Sequence, residues 1–335
     1  MRFLNCLLLV VINAVPCGGQ NIFDAHTISG SQNNYISSHA IDPLGNKYLS
    51  IYTDGGNSVS IYGKSYNLDV GNYILRFDAS DSLTLIYELE SIGVVQDRVQ
   101  ALAADKDGNL YVASQYYNGY GNLFRYSKYS PDGKLLWQVQ EGTDVEVESE
   151  QILIDDNGNS YVAGNVSSVY FFGILLYKYI VYPNHDFLLK FSSTGSLTWI
   201  HTSDASDYDV FVNAMRFDNQ GNIILGGEFH TQIKIGSDSL TNLIGDNFAN
   251  MYMACISPSG NLQWLKGFIG EGYFVLYDIE VDPAENYYFC GSFYGTTTFG
   301  DTTLSTFQWD YPNFIMGKVS NNFDVQWIKF KKNSS

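Results

Sequence analysis

The sequence has little positive charge, and it has few charged residues of either sign. Its 335 residues include 18 Lys and Arg against 35 Asp and Glu, which gives a formal net charge of −17 at pH 7. This balance excludes nucleic acid as a partner, because a polyanion is bound by concentrated Lys and Arg. It also argues against binding to an anionic membrane surface. Charged residues make up only 16% of the chain, which excludes a coiled coil or a long-helix protein.

Cysteine is also scarce. Two of the four cysteines lie close to the amino terminus, so Cys255 and Cys290 are the two in the main part of the chain. A disulfide-framed scaffold is therefore excluded. These two cysteines fall on different strands of different copies of the repeat described below, and we expect free thiols rather than a disulfide.

Long hydrophobic runs are absent apart from one near the amino terminus, residues 3–15. As a helix this run would rise only about 20 Å, whereas the hydrocarbon core of a bilayer is about 30 Å thick. Small residues follow at Cys17-Gly18-Gly19, as in a cleavage site. The sequence therefore predicts a signal peptide over residues 1–19 and a mature chain, residues 20–335, that is secreted or at the cell surface without membrane insertion.

Aromatic residues are abundant in this chain. Phe, Trp and Tyr form 16% of the residues, and hydrophobic residues as a whole form 45%. That much apolar material excludes an intrinsically disordered protein. No helical periodicity accompanies it, so we predict an all-β protein.

An internal repeat extends along the whole chain. A turn of the form Asp-x-x-Gly-Asn begins at Asp42, Asp105, Asp155 and Asp218, and a fifth copy at Asp282 has Glu285 in place of Gly. Successive copies lie 50 to 64 residues apart, a spacing typical of a stacked or circular array. The turn fits a three-residue hairpin loop, in which Asp accepts backbone hydrogen bonds and Gly takes the left-handed conformation.

A second anchor of the repeat is a Trp in an apolar strand, at Trp137, Trp199, Trp264 and Trp327, with Leu85 in the first copy. A further turn precedes each anchor, as in Ser130-Pro131-Asp132-Gly133. Glu285 and Phe323 stand where these turns prefer Gly. A left-handed residue other than Gly costs about 1 kcal/mol, so we expect strain at both positions.

Alternating apolar residues and recurring columns predict four strands in each copy. His39 takes a position that is apolar in the other copies, and we expect it to be buried and hydrogen-bonded. A column of small residues ending at Cys290 predicts close approach of neighbouring backbones, and we expect Cys290 to be buried. A basic column is expected to face solvent, paired to a nearby Asp; its members are Arg76, Lys128, Lys190 and Lys318.

Four-stranded units in tandem are typical of a β-propeller. Each unit consists of a strand, then Asp-x-x-Gly-Asn-x-Tyr-Val-x-Gly, then Phe-Gly-x-x-x-Leu, then a Lys strand and finally Gly-x-Leu-x-Trp. It resembles the repeat of secreted bacterial proteins of the seven-bladed β-propeller repeat (SBBP) type. The resemblance covers about residues 23–330, and it implies a propeller and export but no defined activity. We therefore predict a single all-β domain, a β-propeller of five four-stranded repeats, with an incomplete six- or seven-bladed array as the alternative. The repeats lie at approximately 35–90, 97–141, 148–203, 210–268 and 275–331.

No catalytic, cofactor-binding or metal-binding residue is assigned, and no cofactor is expected. The segment after Asp105 opens like a calcium loop, but Tyr116 stands where such a loop needs Glu, so turn chemistry is the preferred interpretation. None of the five His has metal-ligand spacing with another His or with Cys. A Ser within Gly-x-Ser-x-Gly is absent, so nucleophilic catalysis has no support.

The function that the sequence predicts is an exported, non-catalytic binding module for an unknown protein or glycan ligand. One alternative is a lectin-like propeller, whose aromatic loop at residues 116–120 would stack on sugars. A second is a glycoside-active enzyme that would use two acidic side chains. The acidic candidates for that enzyme are residues 141–150 together with Asp97, Asp207 and Asp209.

Overall fold

The structure is a computed structural model, and the residues it describes form β-strands and turns without a helix. It describes residues 7–9, 26–29, 35–53, 58–61, 64–89, 98–117, 122–143, 147–167, 170–175, 185–203, 209–242, 248–306 and 312–331. The all-β prediction is confirmed. Within these ranges, no helix is long and apolar enough to cross a membrane.

In the described part of the chain, five antiparallel sheets follow one another, and the main ladder of each has four strands that pair in the order of the chain. The first comprises Tyr35–Ile41, Lys47–Thr53, Gly71–Phe77 and Leu83–Glu88, and the second Arg98–Ala104, Leu110–Tyr117, Asn122–Tyr129 and Leu135–Thr143. The third comprises Val147–Ile154, Ser160–Val166, His185–Phe191 and Leu197–Thr202. The fourth comprises Val210–Phe217, Ile223–Phe229, Asn250–Ile256 and Leu262–Phe268. The fifth comprises Gly270–Val281, Tyr287–Phe299, Asn313–Val319 and Val325–Lys331, with Thr302–Ser305 paired to its second strand.

The remaining strands are short. Two-stranded hairpins join Tyr170–Phe171 to Ile174–Leu175 and Gln232–Ile235 to Asp238–Thr241. A separate four-stranded sheet contains Leu7–Leu9, His26–Ser29, Ser58–Ile61 and Lys64–Asn67. Leu7–Leu9 lies within the predicted signal peptide and pairs with His26–Ser29. Cleavage of residues 1–19 stays a prediction.

The turns form as the sequence predicts. In the first copy, the amide of Gly45 donates to the carbonyl of Asp42 over 2.9 Å, and the Asp42 carboxylate accepts from the amides of Leu44 and Asn46. Gly45 has a φ of 84°, in the left-handed region. Glu285 and Phe323 are left-handed as well, with φ of 60° and 69°, which confirms the strain expected at both.

Consecutive sheets pack face to face. The first strand of each sheet lies beside the first strand of the next one, a propeller-like arrangement. We call the face of a sheet that contacts the previous sheet its preceding face, and the opposite one its following face. Four hydrophobic clusters fill the four junctions between consecutive sheets. A fifth cluster covers the preceding face of the first sheet with Ile61 and Tyr66, which lie between its second and third strands.

Every first strand carries a β-bulge at the same place. The extra residues are Ser37, Gln100, Glu150, Asn213 and Tyr277. The position paired just beyond each bulge is the small-residue column, as at Ala113 and Gly226. A bulge bends the strand and increases its twist. Close packing of the next sheet limits the size of this column, since a Cβ on Gly226 would overlap Cδ1 of Ile279 on the fifth sheet.

Two expectations about burial are wrong, and both fail at the ends of the array. His39 is exposed rather than buried, because it lies on the edge strand of the first sheet and outside the fifth cluster, which buries residues of the second and third strands on that face. Cys290 is only half-buried, because it lies on the following face of the fifth sheet. Cys255 and Cys290 are free thiols, as expected.

Candidate functional site

A cavity of about 360 Å³ opens between the second and third sheets, at the end of their strands where the Asp-x-x-Gly-Asn turns lie. We call it the turn-end cavity. Pro43, from the first sheet, and Ile154 supply apolar parts of its wall. Its charged lining consists of Asp105, Lys106, Asp107, Lys128, Asp155 and Asp156.

One part of the lining is held rigidly by the turn itself. The Asp105 carboxylate accepts hydrogen bonds from the amides of Asp107 and Asn109, at 3.0 and 2.8 Å, and from the Asn109 side chain at 2.9 Å. Its second oxygen also lies 3.2 Å from Nζ of Lys128. Turn hydrogen bonds and an ion pair thus occupy the carboxylate that the calcium-loop interpretation would assign to a cation. Among the residues the structure describes, no group of three or more His, Cys, Asp or Glu could hold a metal ion.

Lys128 is the buried cation of the cavity wall. Its side chain is buried, and Nζ lies 4.6 Å from the centre of the Tyr111 ring. Burial opposes its charge, but the hydrogen bonds to Tyr111 and Asp105 outweigh burial and raise the pKa of Lys128 above its usual value. The expectation that the basic column faces solvent is wrong here, because the following sheet covers it. The expected pairing to a nearby Asp is confirmed for Lys128 and for Lys318, which lies 3.2 Å from Asp282.

The other part of the lining is open to a ligand. The side chains of Asp107 and Asp156 are exposed, and neither carboxylate has a hydrogen-bond donor in the described part of the chain. Lys106 donates instead to the backbone carbonyl of Asp156, at 3.2 Å. Four carboxylates against two ammonium groups leave the cavity lining with a net negative charge. The open groups can therefore accept hydrogen bonds from a cation.

A sequence signal for this cavity existed and was missed. The two middle positions of the Asp-x-x-Gly-Asn turn carry an acidic residue only in the second and third copies, as Asp107 and Asp156. The other copies have Pro43-Leu44, Asn219-Gln220 and Pro283-Ala284 there. The repeated turn residues predict the turn in every copy, whereas this signal is a difference between the copies.

The structure describes only some of the acidic candidates for the glycoside alternative, and the described ones lie at the end of the sheets opposite to the Asp-x-x-Gly-Asn turns. Residues 144–146, Asp97 and Asp207 lie outside the described residues. Glu148 and Glu150 occupy the first strand of the third sheet. Desolvation raises the pKa of Glu150, the Glu148 carboxylate raises it further, and Arg98 opposes the shift.

The aromatic loop of the lectin alternative begins with Tyr116, whose side chain already makes contacts within the protein. Tyr116 is buried, and the Arg125 guanidinium lies 4.0 Å from the centre of its ring. Its hydroxyl bonds to Gln140 over 3.3 Å. Tyr116 is therefore not available for stacking on a sugar. Residues 118–120 lie outside the described part of the chain.

Two buried acidic side chains, Glu228 and Asp186, were not predicted from the sequence. Glu228 is only 7% exposed, and burial raises its pKa to about 8. Its Oε2 has no hydrogen-bond partner among the described residues. Asp186 is buried at the junction of the third and fourth sheets, where it accepts from the amide of Ser203 at 3.0 Å and from the hydroxyl of Tyr252 at 3.2 Å. Neither acid belongs to a repeated column, so the spacing of the copies could not reveal them.

Arg216, on the first strand of the fourth sheet, makes polar contacts with the first strands of the third and fifth sheets. Its Nη2 lies 2.9 Å from one oxygen of Asp278, and its Nε lies 3.0 Å from Glu280, both on the fifth sheet. Nη1 donates to Gln151 of the third sheet over 3.0 Å. One side chain thereby connects three consecutive sheets, which is a structural rather than a ligand-binding role.

Comparison with known proteins gives distant structural likenesses only. No family model matches the chain, and no curated protein matches it. A streptogramin B lyase structure aligns at 11% identity and TM-score 0.39, covering 92% of this chain and 88% of that one. A protein of unknown function from Dyadobacter fermentans DSM 18053 aligns at 10% identity and TM-score 0.44, over 86% and 91%. A subtype N10 neuraminidase-like protein of A/little yellow-shouldered bat/Guatemala/060/2010 aligns at 7% identity and TM-score 0.35, covering 77% of this chain and 90% of that one. The propeller-like arrangement therefore rests on the sheets of this chain, and the SBBP resemblance stays a prediction.

Proposed function

We propose that this chain is an exported, non-catalytic β-propeller module that binds a protein partner by taking a basic side chain into the turn-end cavity. The observation that carries the proposal is the pair of open carboxylates, Asp107 and Asp156, on the wall of a preformed cavity. The volume of about 360 Å³ lies in the usual range of ligand pockets, about 300–1,000 Å³.

The charge of the whole chain supports a basic partner. A net charge of −17 attracts positively charged proteins over long distances and raises their rate of association. Inside the cavity, an ammonium or guanidinium group would meet the carboxylates of Asp107 and Asp156, while its aliphatic stem would lie against Pro43 and Ile154. The fixed Lys128–Asp105 pair needs no rearrangement for this, since Asp105 is already neutralised.

The finer architecture we propose is an incomplete propeller array, the alternative to a closed ring of five blades. Its support is the following face of the fifth sheet, on which Cys290 is half-buried and no further sheet packs within the described residues. Within the described residues, no hydrophobic cluster joins the fifth sheet to the first.

The test is isothermal titration calorimetry of the full chain with a short oligolysine peptide, and with an uncharged Gly-Ser peptide as the ligand control. We expect binding of the basic peptide, and the double variant Asp107→Asn/Asp156→Asn should weaken it by about tenfold or more. The matched variant is Asp301→Asn/Asp324→Asn, which removes the same charge from exposed turns of the fifth sheet.

Equal weakening by the two double variants would show that only the overall charge matters, and the cavity would be rejected as the site. Absence of any oligolysine binding at low salt would reject the basic ligand altogether. Binding of an uncharged glycan that both variants retain would favour the lectin alternative in its place.

A further inference from the structure

The turn-end cavity holds one positive charge that no ion pair neutralises. Of the two lysines in its lining, Lys128 is paired to Asp105, with Nζ 3.2 Å from a carboxylate oxygen. Lys106 is exposed, and its Nζ donates to the backbone carbonyl of Asp156 over 3.2 Å. Among the described residues, no ion pair joins Lys106 to a carboxylate. The open charged groups of the cavity are therefore the ammonium of Lys106 and the carboxylates of Asp107 and Asp156.

The bond that Lys106 makes to the next turn does not need a charge. Asn219 holds the same place in the turn of the fourth sheet. Its neutral amide donates to the carbonyl of Asp282, in the turn of the fifth sheet, over 3.1 Å. A neutral donor is therefore enough to tie one turn to the next. The positive charge of Lys106 goes beyond what this link requires, so it is available to a ligand.

The three open groups lie on neighbouring turns. Lys106 and Asp107 are adjacent in the turn of the second sheet, and Asp156 belongs to the turn of the third. Because Lys106 bonds to the backbone of Asp156, its ammonium lies beside the residue that carries the second open carboxylate. The cavity thus offers a place for a cation next to a place for an anion.

The lining of the cavity comes from three consecutive sheets. Pro43 belongs to the first sheet, residues 104–107 and Lys128 to the second, and residues 154–158 and Ser193 to the third. A cavity with walls from three sheets admits the end of a chain more readily than a continuous chain, which must both enter and leave through the mouth. Capture of a terminal carboxylate is an established mode of peptide recognition.

On the basis of the binding function proposed above, we propose that the basic residue bound in this cavity is the carboxy-terminal residue of the partner, a Lys or Arg with a free carboxylate. Its side-chain cation pairs with Asp107 and Asp156, and its terminal carboxylate accepts a charge-assisted hydrogen bond from Lys106. Hydrolysis of a peptide bond that follows Lys or Arg creates such an end, so the reaction that supplies this ligand is proteolysis after a basic residue.

The overall charge of the chain predicts the opposite preference. Replacing the terminal carboxylate of a peptide by an amide makes the peptide more positive. A chain of net charge −17 should then attract the amide more strongly, if long-range attraction alone decided affinity. Tighter binding of the free acid therefore requires a local positive group at the site.

The test is isothermal titration calorimetry of the full chain with three N-acetylated peptides. They are tetralysine with a free carboxylate, tetralysine amide, and tetralysine extended by four glycines with a free carboxylate. We expect the first to bind about tenfold more tightly than the amide. The glycine-extended peptide has the same charges as the first, but its carboxylate is distant from the last Lys, so it should bind about as weakly as the amide.

Variants of Lys106 identify the group that binds the carboxylate. Lys106→Gln keeps a donor for the Asp156 carbonyl but removes the charge, so the affinity ratio of free acid to amide should fall from about ten to about one. Lys106→Arg should keep the preference for the free acid. Lys266→Gln, at an exposed position of the fourth sheet, is the matched control and should keep the full ratio. Both lysines are exposed, so the melting temperatures should stay near that of the unmodified protein.

Three results would overturn this inference and leave the proposed function standing. The first is equal or tighter binding of the amide to the unmodified chain. The second is a preference for the free acid that survives in Lys106→Gln, including equal weakening of both peptides, which would show that Lys106 only ties the turns together. The third is equal binding of the glycine-extended peptide. Failure of both tetralysine peptides to bind would instead reject the proposed function, and this inference with it.

Discussion

The hydroxyl of Tyr111, on the second sheet, donates a hydrogen bond to the carbonyl oxygen of Gly158, in the turn of the third sheet, over 3.1 Å. Tyr48 makes the same bond to Gly108 one sheet earlier, at 3.2 Å. The conserved Tyr of one copy and the conserved Gly turn of the next therefore form one structural unit. The repeat is completed only across the boundary between two sheets.

The first prediction concerns this bond. Tyr111→Phe should lower the free energy of unfolding by about 1 kcal/mol, because it removes a hydrogen bond between the buried Tyr111 and the half-buried turn at Gly158. Tyr288→Phe is the matched control, since the partners of its hydroxyl, Asp282 and Lys318, lie on its own sheet rather than across a junction. We expect a loss below about 0.5 kcal/mol there. Urea denaturation measures both, and equal losses would contradict the role of the junction.

The second prediction concerns two glycines with similar backbone conformations. Gly195 and Gly221 have φ of 85° and 80°. A Cβ on Gly195 would lie 2.7 Å from the Trp137 ring, whereas one on Gly221 meets nothing within 4 Å. Gly221→Ala should cost about 1 kcal/mol for the left-handed backbone alone. Gly195→Ala should cost about 2–4 kcal/mol, because it also displaces the Trp that joins the sheets.

Thermal unfolding of both glycine variants gives the comparison. The Trp fluorescence spectrum of the folded Gly195→Ala variant should differ from that of the folded unmodified protein, whereas the spectrum of folded Gly221→Ala should match it, because only the first site touches Trp137. Similar losses for the two variants would mean that the Trp137 contact does not hold the second and third sheets together.

The third prediction uses the two strained residues that replace Gly. Glu285→Gly should stabilise the protein by up to about 1 kcal/mol, since it relieves a left-handed Glu whose side-chain hydrogen bonds, among the described residues, come from exposed Gln220. Phe323→Gly should instead destabilise by about 2 kcal/mol, because it removes a ring stacked on Phe268 at 4.9 Å. Chemical denaturation measures the two opposite signs. Stabilisation by both would show that the Phe323 ring contributes little to the junction.

The fourth prediction follows from the buried Glu228 carboxyl. Burial raises its pKa in the folded protein to about 8, whereas in the unfolded chain it is near 4.3. The folded state therefore holds a proton that the unfolded state releases. Its contribution to stability is present in full below about pH 4 and falls by up to about 1.4 kcal/mol per pH unit as the pH rises to about 8.

Glu228→Gln should remove this pH dependence. Relative to the unmodified protein, the variant should have similar stability near pH 4 and be more stable by a few kcal/mol near pH 8. Urea titrations at several pH values give the difference. Glu271→Gln, at an exposed position of the fifth sheet, is the control and should leave the pH dependence unchanged. A constant difference between Glu228→Gln and the unmodified chain would contradict a raised pKa.

Local residue types account for most of what could be predicted. Asp42, Gly45 and Asn46 interact within one turn, so their identities alone fix its hydrogen bonds and its left-handed residue. Alternation of apolar residues marks the strands for the same reason, because the periodicity of a strand does not depend on its neighbours. The turns, the four strands per copy and the strain at Glu285 and Phe323 were therefore accessible from sequence.

Properties that depend on a neighbouring sheet were less accessible. The repeat pattern places Lys128 in a column that we predicted to face solvent, but the next sheet covers this residue. The turn-end cavity arises because two copies place Asp107 and Asp156 near each other, and that proximity depends on how the second and third sheets pack. The buried Glu228 shares no column with the other copies.

The sequence by itself determined the all-β fold, the turns and the tandem four-stranded units, because these are set by interactions over a few residues. Tertiary structure decided which faces are covered. Ile74 and Met316 occupy the same place in the repeat, but one is buried by the next sheet and the other is exposed at the end of the array. The physical reason is that burial belongs to a pair of surfaces, and the sequence of one copy describes only one of them.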